Sequence, residues 1–352
     1  MNKKAAFTKN GILCKALAVV TGTALLAGWI LTGKTGIGSE DKAVYEAAVK
    51  LQPEVDQLGF QDFRLENYPV AMYDGKKDSV FYQGKIEERA PVLETFAGTA
   101  YPVGDHFEVV VPTLEQMDGM MSLAGGIEGM TAGSGYGKEE QIATIWHEGF
   151  HAWQMSSFAI LGEKMTAEEL TAELENMDEG TTGKDAGEQD GESEEQILVK
   201  AVDQKADVKK AVAQEMKTLK AIADKGSALK GEESKTGIDE MKSAVLEYRK
   251  SEEQRRKGMP AEAVKAEQRC ELTEGTAYYV EANILKMQEG GGEAEYQKRY
   301  LDTLGQFEGG RGKYYRTGMA KCLILDQISP DWKRQIDFSK SLDELLDEAV
   351  MS

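Results

Sequence analysis

Two of the three histidines in the chain stand four residues apart, His147 and His151, in the run Trp146-His147-Glu148-Gly149-Phe150-His151. On an α-helix, positions i and i+4 lie one above the other about a turn apart, so both imidazoles can aim a ring nitrogen at one ion. Zinc is the metal that this donor type and spacing suit. Glu148 follows the first histidine and lies beside the ligand face. There a carboxylate can take a proton from water without occupying a coordination position. Chance placement gives this pattern in well under ~1% of sequences of this length and composition. The plainer alternative is a pair of satisfied polar residues on an amphipathic helix.

A catalytic zinc usually has three protein ligands and one open position. The remaining histidine, His106, stands at the start of a strand-like run with no partner at ligand spacing, so a carboxylate is the expected third donor. The stretch Cys270-Glu271-Leu272-Thr273-Glu274-Gly275-Thr276-Ala277-Tyr278-Tyr279-Val280-Glu281 offers three, at i, i+3 and i+10 of a predicted helix. Glu274 is favoured because Gly275 beside it permits close approach of two helices. Glu271 is its rival, either as ligand or as the acceptor that orients a histidine ring, and Glu281 shares those alternatives. A developing oxyanion also needs a donor, and Arg311, Tyr314 and Tyr315 follow a glycine-rich turn at the head of a predicted helix. Packing tyrosines and a solvated arginine are the plainer reading of the same residues.

The elements that must hold these groups are legible as a helix-rich α+β pattern. Ile142, Ile145, Trp146, Phe150 and Trp153 recur at helical spacing, with Lys138-Glu139-Glu140 as a first turn. Upstream, a short helix from Asp41 to about Gln57 precedes Pro69–Tyr73 and Ser79–Tyr82, which flank Asp74-Gly75 as a hairpin. Phe107–Val111 reads as the next strand. Seven glycines between Gly119 and Gly137 read as a loop or a flap beside the metal helix. From Glu163 to Met259 the composition turns to Ala, Glu, Lys and Gln. An acidic, glycine-bearing loop near 176–196 is expected to be disordered, and helices at 197–225 and 238–257 form a predicted insertion outside the core. Pro260 opens a long helix that the glycines at 290–292 end. Further helices run from Tyr314 to Leu325 and from Ser341 to Val350. The expected domains are 1–38 (signal peptide or signal anchor), 39–162 (sheet region and histidine helix), 163–259 (acidic insertion) and 260–352 (helical region with the third ligand).

His147-Glu148-Gly149-Phe150-His151, with Glu274-Gly275-Thr276-Ala277 on a second helix, resembles the gluzincin type of zinc metallopeptidase. The resemblance covers these two helices. It implies a zincin-like domain that cleaves peptide bonds, with His147, His151 and Glu274 as zinc ligands and Glu148 as general base. It further implies an edge strand above the metal helix on which an extended peptide pairs, a place to which Phe107, Val109, Val110 and Val111 are assigned. The Gly-Ala-Met-Glu-Asn motif of the aminopeptidase branch does not occur. The extended His-x-x-Gly-x-x-His form is also missing, which disfavours the metzincin branch.

Charge and address complete the reading. Asp and Glu number 61 against 42 Lys and Arg, and the net charge of −19 argues against a nucleic-acid partner. Met1-Asn2-Lys3-Lys4, then an uncharged apolar run from Ala16 to about Gly33, reads as a signal peptide or a retained anchor. It places the catalytic domain outside the cytoplasm, either membrane-bound or secreted. Cys270 and Cys322 are either one disulfide or two buried thiols. The expected partner is a peptide or protein substrate. The rival function is a non-catalytic surface or adhesion module that keeps a structural metal.

Overall fold

The computed structural model describes residues 37–95, 97–117, 136–180, 192–229, 234–288 and 292–352. The apolar N-terminal run and the glycine-rich stretch before Tyr136 lie outside these residues, as does most of the acidic loop. Within them the chain is a helix-rich α+β structure with one five-stranded mixed sheet. No helix among the described residues is long and apolar enough to cross a membrane.

Helices α1 (Ser39–Lys50) and α2 (Gln52–Asp56) precede the sheet, whose strands are β1 (Val70–Tyr73), β2 (Asp78–Tyr82), β3 (Lys85–Arg89), β4 (Thr99–Val103) and β5 (His106–Pro112). Their order is β3-β2-β1-β5-β4. The expected hairpin is present as β1 and β2, paired antiparallel with Val70 opposite Phe81. β5 runs parallel to β1, with Val70 opposite Val109, and antiparallel to β4, with Ala100 opposite Val109.

That pairing corrects the assignment of Phe107–Val111 to the edge. β5 is an interior strand, and Val109, Val110 and Val111 are fully buried because both faces of the sheet are covered there. The edge next to β5 is β4, which the charge and periodicity patterns do not mark. Its Pro102 has no N–H to give to a ladder, and an edge strand tolerates that loss.

α3 (Lys138–Ser157) lies across the sheet. Its first turn is closed by the Glu140 carboxylate, which accepts from the Gly137 N–H at 2.8 Å, and its apolar side is fixed by aromatic rings. Phe63 meets Trp146 and Phe150 edge-on at 5.3 and 5.1 Å between centroids, and Phe60 meets Phe150 at 4.9 Å. Burying each such ring contributes about 1.5–3 kcal/mol, and together they hold the opposite helix face, with His147 and His151, away from the core.

Helices α4 (Ala167–Gly180), α5 (Glu194–Leu198, continued by a π-turn to Asp203), α6 (Ala206–Ala228) and α7 (Ser234–Arg256) follow. The latter two were expected outside the core. Instead, Leu219, Ile222, Met241, Val245 and Tyr248 join the same apolar core as α3, because the inward stripe of each helix packs on the C-terminal helices. α8 (Ala261–Cys270) passes through a π-turn, Glu271–Gly275, into α9 (Thr276–Met287), the helix packed most extensively on α3. α10 (Gly292–Tyr296), α11 (Gly312–Ile328), α12 (Trp332–Gln335) and α13 (Leu342–Met351) complete the chain. Cys270 and Cys322 are both buried free thiols, which resolves the disulfide alternative.

Candidate metal centre and cleft

Helical spacing on α3 brings His147 Nε2 and His151 Nε2 to 3.1 Å of each other. From the neighbouring helix segment Glu274 Oε2 comes to 3.2 Å from His151 Nε2 and 3.8 Å from His147 Nε2. These three donors are all within 4.8 Å of one another.

The neighbours of the His151 ring decide what its Nε2 carries. His151 Nδ1 faces Gln154 Oε1 at 2.8 Å. That oxygen is assigned by the other end of the amide, where Nε2 donates to the Thr273 carbonyl at 3.2 Å, an atom that can only accept. The same Nε2 donates to the Thr276 hydroxyl at 2.8 Å, whose own proton goes to the Leu272 carbonyl at 2.6 Å. His151 Nδ1 is therefore the protonated nitrogen, and Nε2 presents a lone pair. Glu281 Oε2 lies 2.7 Å from His147 Nδ1, within ion-pair range though off the line of a ring N–H bond. Tyr300 fixes that carboxylate by donating to its Oε1 at 2.7 Å. The His151 Nε2 lone pair, the Glu274 carboxylate oxygen and His147 Nε2 thus converge on one point, an arrangement that suits a cation between them.

Two imidazoles and one carboxylate are a donor set that zinc takes, with the second ring nitrogens held by a carboxylate and an amide as metal-bound histidines usually are. Burial disfavours a charged His147, but Glu274 and Glu281 outweigh it and hold the imidazole well above its usual range. Burial likewise opposes the Glu274 carboxylate, but Arg311 and His151 overcome it and hold the group well below the usual carboxylate range.

The structure separates the three candidate acids. Glu274 joins the histidines, and Glu281 stands behind His147. Glu271 turns the other way, accepting from Thr317 Oγ1 at 2.6 Å and Lys321 Nζ at 2.7 Å, so it is neither a ligand nor a histidine partner. The cause is the π-turn, which spreads an extra residue over the turn and takes residues three apart off a common face. Gly275 has the role expected of a small residue, although its neighbour is α11. A Cβ there would meet Gly318 Cα at 2.5 Å, so the two backbones touch.

Glu148 is half-buried and opens into a cleft beside the three donors. Burial pushes its carboxyl up, partly offset by His147 and His151. Gly98, just before β4, packs directly on α3, since a Cβ would stand 2.7 Å from Thr144 Cγ2 and 3.0 Å from Glu148 Cγ. The edge strand is thereby brought up to the general-base candidate.

Of the proposed oxyanion donors, only Tyr315 lines the cleft, with its ring centroid 6.4 Å from that of His147. Burial and Glu274 push its hydroxyl well above the ordinary phenol range, so it remains a donor. Arg311 does not face the cleft. It is bound to Glu274 Oε1 and lines a separate polar recess with Tyr278, Glu308 and Arg316. Tyr314 is buried behind the site near Cys270 and Leu198. Of the strand residues, Phe107 alone reaches the cleft, while Val109, Val110 and Val111 do not. His106 lies apart from the site, between Asp105 and Glu108.

Sequence reasoning did not assign Gln154, Gly98 or Tyr300. Gln154 stands three residues after His151 on the same helix face, a usable signal. Nothing local marks the other two. No family model, no curated protein and no solved structure matches this chain.

Proposed function

We propose that this chain is a zinc-dependent peptidase of gluzincin type, with His147, His151 and Glu274 as metal ligands and Glu148 as general base. The convergence of two imidazole nitrogens and a carboxylate oxygen on one point, beside a half-buried glutamate at a cleft, is the observation that carries this reading. A zinc ion held there supplies Lewis-acid polarisation of a carbonyl and lowers the pKa of water. Glu148 takes the proton of the attacking water as its oxygen bonds to the amide carbon. The C–N bond then breaks, and the same carboxyl returns the proton to the leaving nitrogen. Tyr315 donates toward the oxygen on which charge develops. Gln154 and Glu281 hold the rings in register throughout.

β4 is the strand for an extended substrate, since it pairs on one side with β5 and enters beside Glu148 through Gly98. The rival, a structural metal in an adhesion module, needs a fourth protein donor, and among the described residues the group holds three. The lysine-led apolar segment at the start supports an extracytoplasmic placement, as a secreted or membrane-anchored enzyme.

Glu148→Gln is expected to lower peptide hydrolysis about 10²–10⁴-fold while zinc content, measured by elemental analysis, stays at the wild-type level. Hydrolysis at the wild-type rate in that variant would overturn the reading.

A further inference from the structure

The two oxygens of the Glu274 carboxylate face different partners. Oε2 stands with the histidine nitrogens, 3.2 Å from His151 Nε2, while Oε1 accepts from Arg311 Nη2. We infer that Arg311 is a metal-selectivity residue. By holding Oε1 it confines Glu274 to one ligating oxygen, and so favours a four-coordinate cation such as zinc over one that demands more oxygen donors. The inference rests on the zinc-dependent reading above and adds which metals the centre takes.

The arginine is built to stay where it is. It stands immediately before α11, in a turn that is pinned from outside. Asp203 Oδ2 accepts from the Gly310 N–H at 2.7 Å and Asp203 Oδ1 from Lys313 Nζ at 2.9 Å, while the same ammonium donates to the Gly310 carbonyl. Gly310 has a φ of +62°, the left-handed conformation that glycine adopts without strain. The Lys313 side chain is fully buried, so this clamp lies out of reach of solvent. Farther out, the Arg311 guanidinium lies 5.9 Å from the centroid of the Tyr315 ring and beside the Cys270 thiol. The Arg311 and Glu274 side chains are each 13% exposed, which makes the charge-assisted bond between them costly to break.

Coordination chemistry gives this pairing its consequence. A carboxylate with both oxygens free is able to chelate a cation, and calcium and manganese, which take about six or more donors, profit from the second oxygen. A catalytic zinc needs three protein donors and one open position. A Glu274 free to turn would be able to fill that position itself. Arg311 removes the option, since Oε1 would have to give up a buried cation in order to move. This role differs from that of a plain counter-charge. A counter-charge shifts the affinity for all divalent metals together, whereas a clamp on one oxygen changes their ranking.

The test compares metal-stripped wild type with Arg311→Met and Arg311→Lys. Each is titrated with zinc and with manganese against a chromogenic chelator, and the visible spectrum is recorded after loading with cobalt. Wild type should prefer zinc and show the intense d–d absorption of four-coordinate cobalt. In Arg311→Met the preference for zinc over manganese should fall about tenfold or more, with the weaker cobalt bands of a higher coordination number. Arg311→Lys keeps the charge without the planar fork, and its preference should fall several-fold. Should the methionine variant not fold, the lysine variant decides. A preference and a cobalt spectrum unmoved in every variant that folds would overturn the inference, as would an equal loss of affinity for both metals. Weak, six-coordinate cobalt bands in wild type would overturn it whatever the variants do. If the preference is unmoved while zinc-loaded wild type cleaves peptides, the Arg311 assignment fails and the peptidase reading survives. If the preference shifts as expected but no peptide is cleaved, the peptidase reading fails and the Arg311 assignment stands.

Discussion

Among the described residues, two clusters bring three side chains with possible ligand atoms to within 4.8 Å of one another, His147/His151/Glu274 and Glu252/Glu271/Asp343. They differ in where the positive charge comes from. In the second, Lys321 Nζ lies 3.0 Å from Glu252, 2.7 Å from Glu271 and 2.5 Å from Asp343, and Arg249 and Arg256 close the remaining sides. All six side chains are buried, and the protein supplies its own cations. In the first, the nearest cation, Arg311, binds Glu274 on its far oxygen and leaves the point of convergence to something else. Spacing of acceptors alone does not define a metal site. The identity of the group between them does.

Removing the cation from the internally satisfied cluster should have the largest effect. Lys321→Met leaves three buried carboxylates short of a partner, and a loss of about 3–5 kcal/mol in urea unfolding is expected. Zinc binding should persist where the variant is folded. A loss under about 1 kcal/mol would show that the two clusters are not as different as their geometry says.

Acid should weaken the same region by less. Burial opposes the Glu267 carboxylate, but Arg256 and Arg255 bring it down to about 2, and Lys321 and Arg256 likewise overcome burial to hold Asp343 below its usual range. Groups depressed in the folded state contribute stability that is complete above the unfolded carboxylate value, near 4.5 for Glu267, and lost as pH falls through the folded one. Unfolding free energy should therefore drop between pH of about 4.5 and about 2. Stability flat across that window would contradict the ion-pair assignment.

The smallest effect concerns tuning of the first cluster. Gln154→Ala frees the His151 ring and removes the acceptor that protonates Nδ1, so zinc affinity should fall about 10–100-fold by competition with a chromogenic chelator. Gln154→Glu keeps an acceptor and should restore most of it. Unchanged affinity in Gln154→Ala would remove the tautomer argument.

What could be read from the sequence follows the range of each interaction. His147, Glu148 and His151 are legible because one helical turn joins them, and Glu274 because a small residue follows it. Glu271 misleads because a face count from α-helical geometry fails across a π-turn, and the turn is sustained by Thr317, Lys321 and Gly318, more than 40 residues later. The sheet shows the same limit. Val109–Val111 marks a buried strand, but its position between β1 and β4 depends on a parallel pairing with residues nearly 40 positions earlier. β4 itself, Thr99-Ala-Tyr-Pro-Val103, carries no alternation strong enough to announce a strand. The helices at 206–228 and 234–256 are recognisable by period, yet only packing shows that their apolar stripes belong to the main core.

The most direct measurement is a zinc titration of metal-stripped protein by calorimetry, in parallel on wild type, a His147→Ala/His151→Ala double variant and Glu252→Gln. One zinc per chain is expected for wild type and for Glu252→Gln, and none for the double histidine variant. Zinc binding that survives loss of both histidines, or no stoichiometric binding by wild type, would contradict the assignment of the centre.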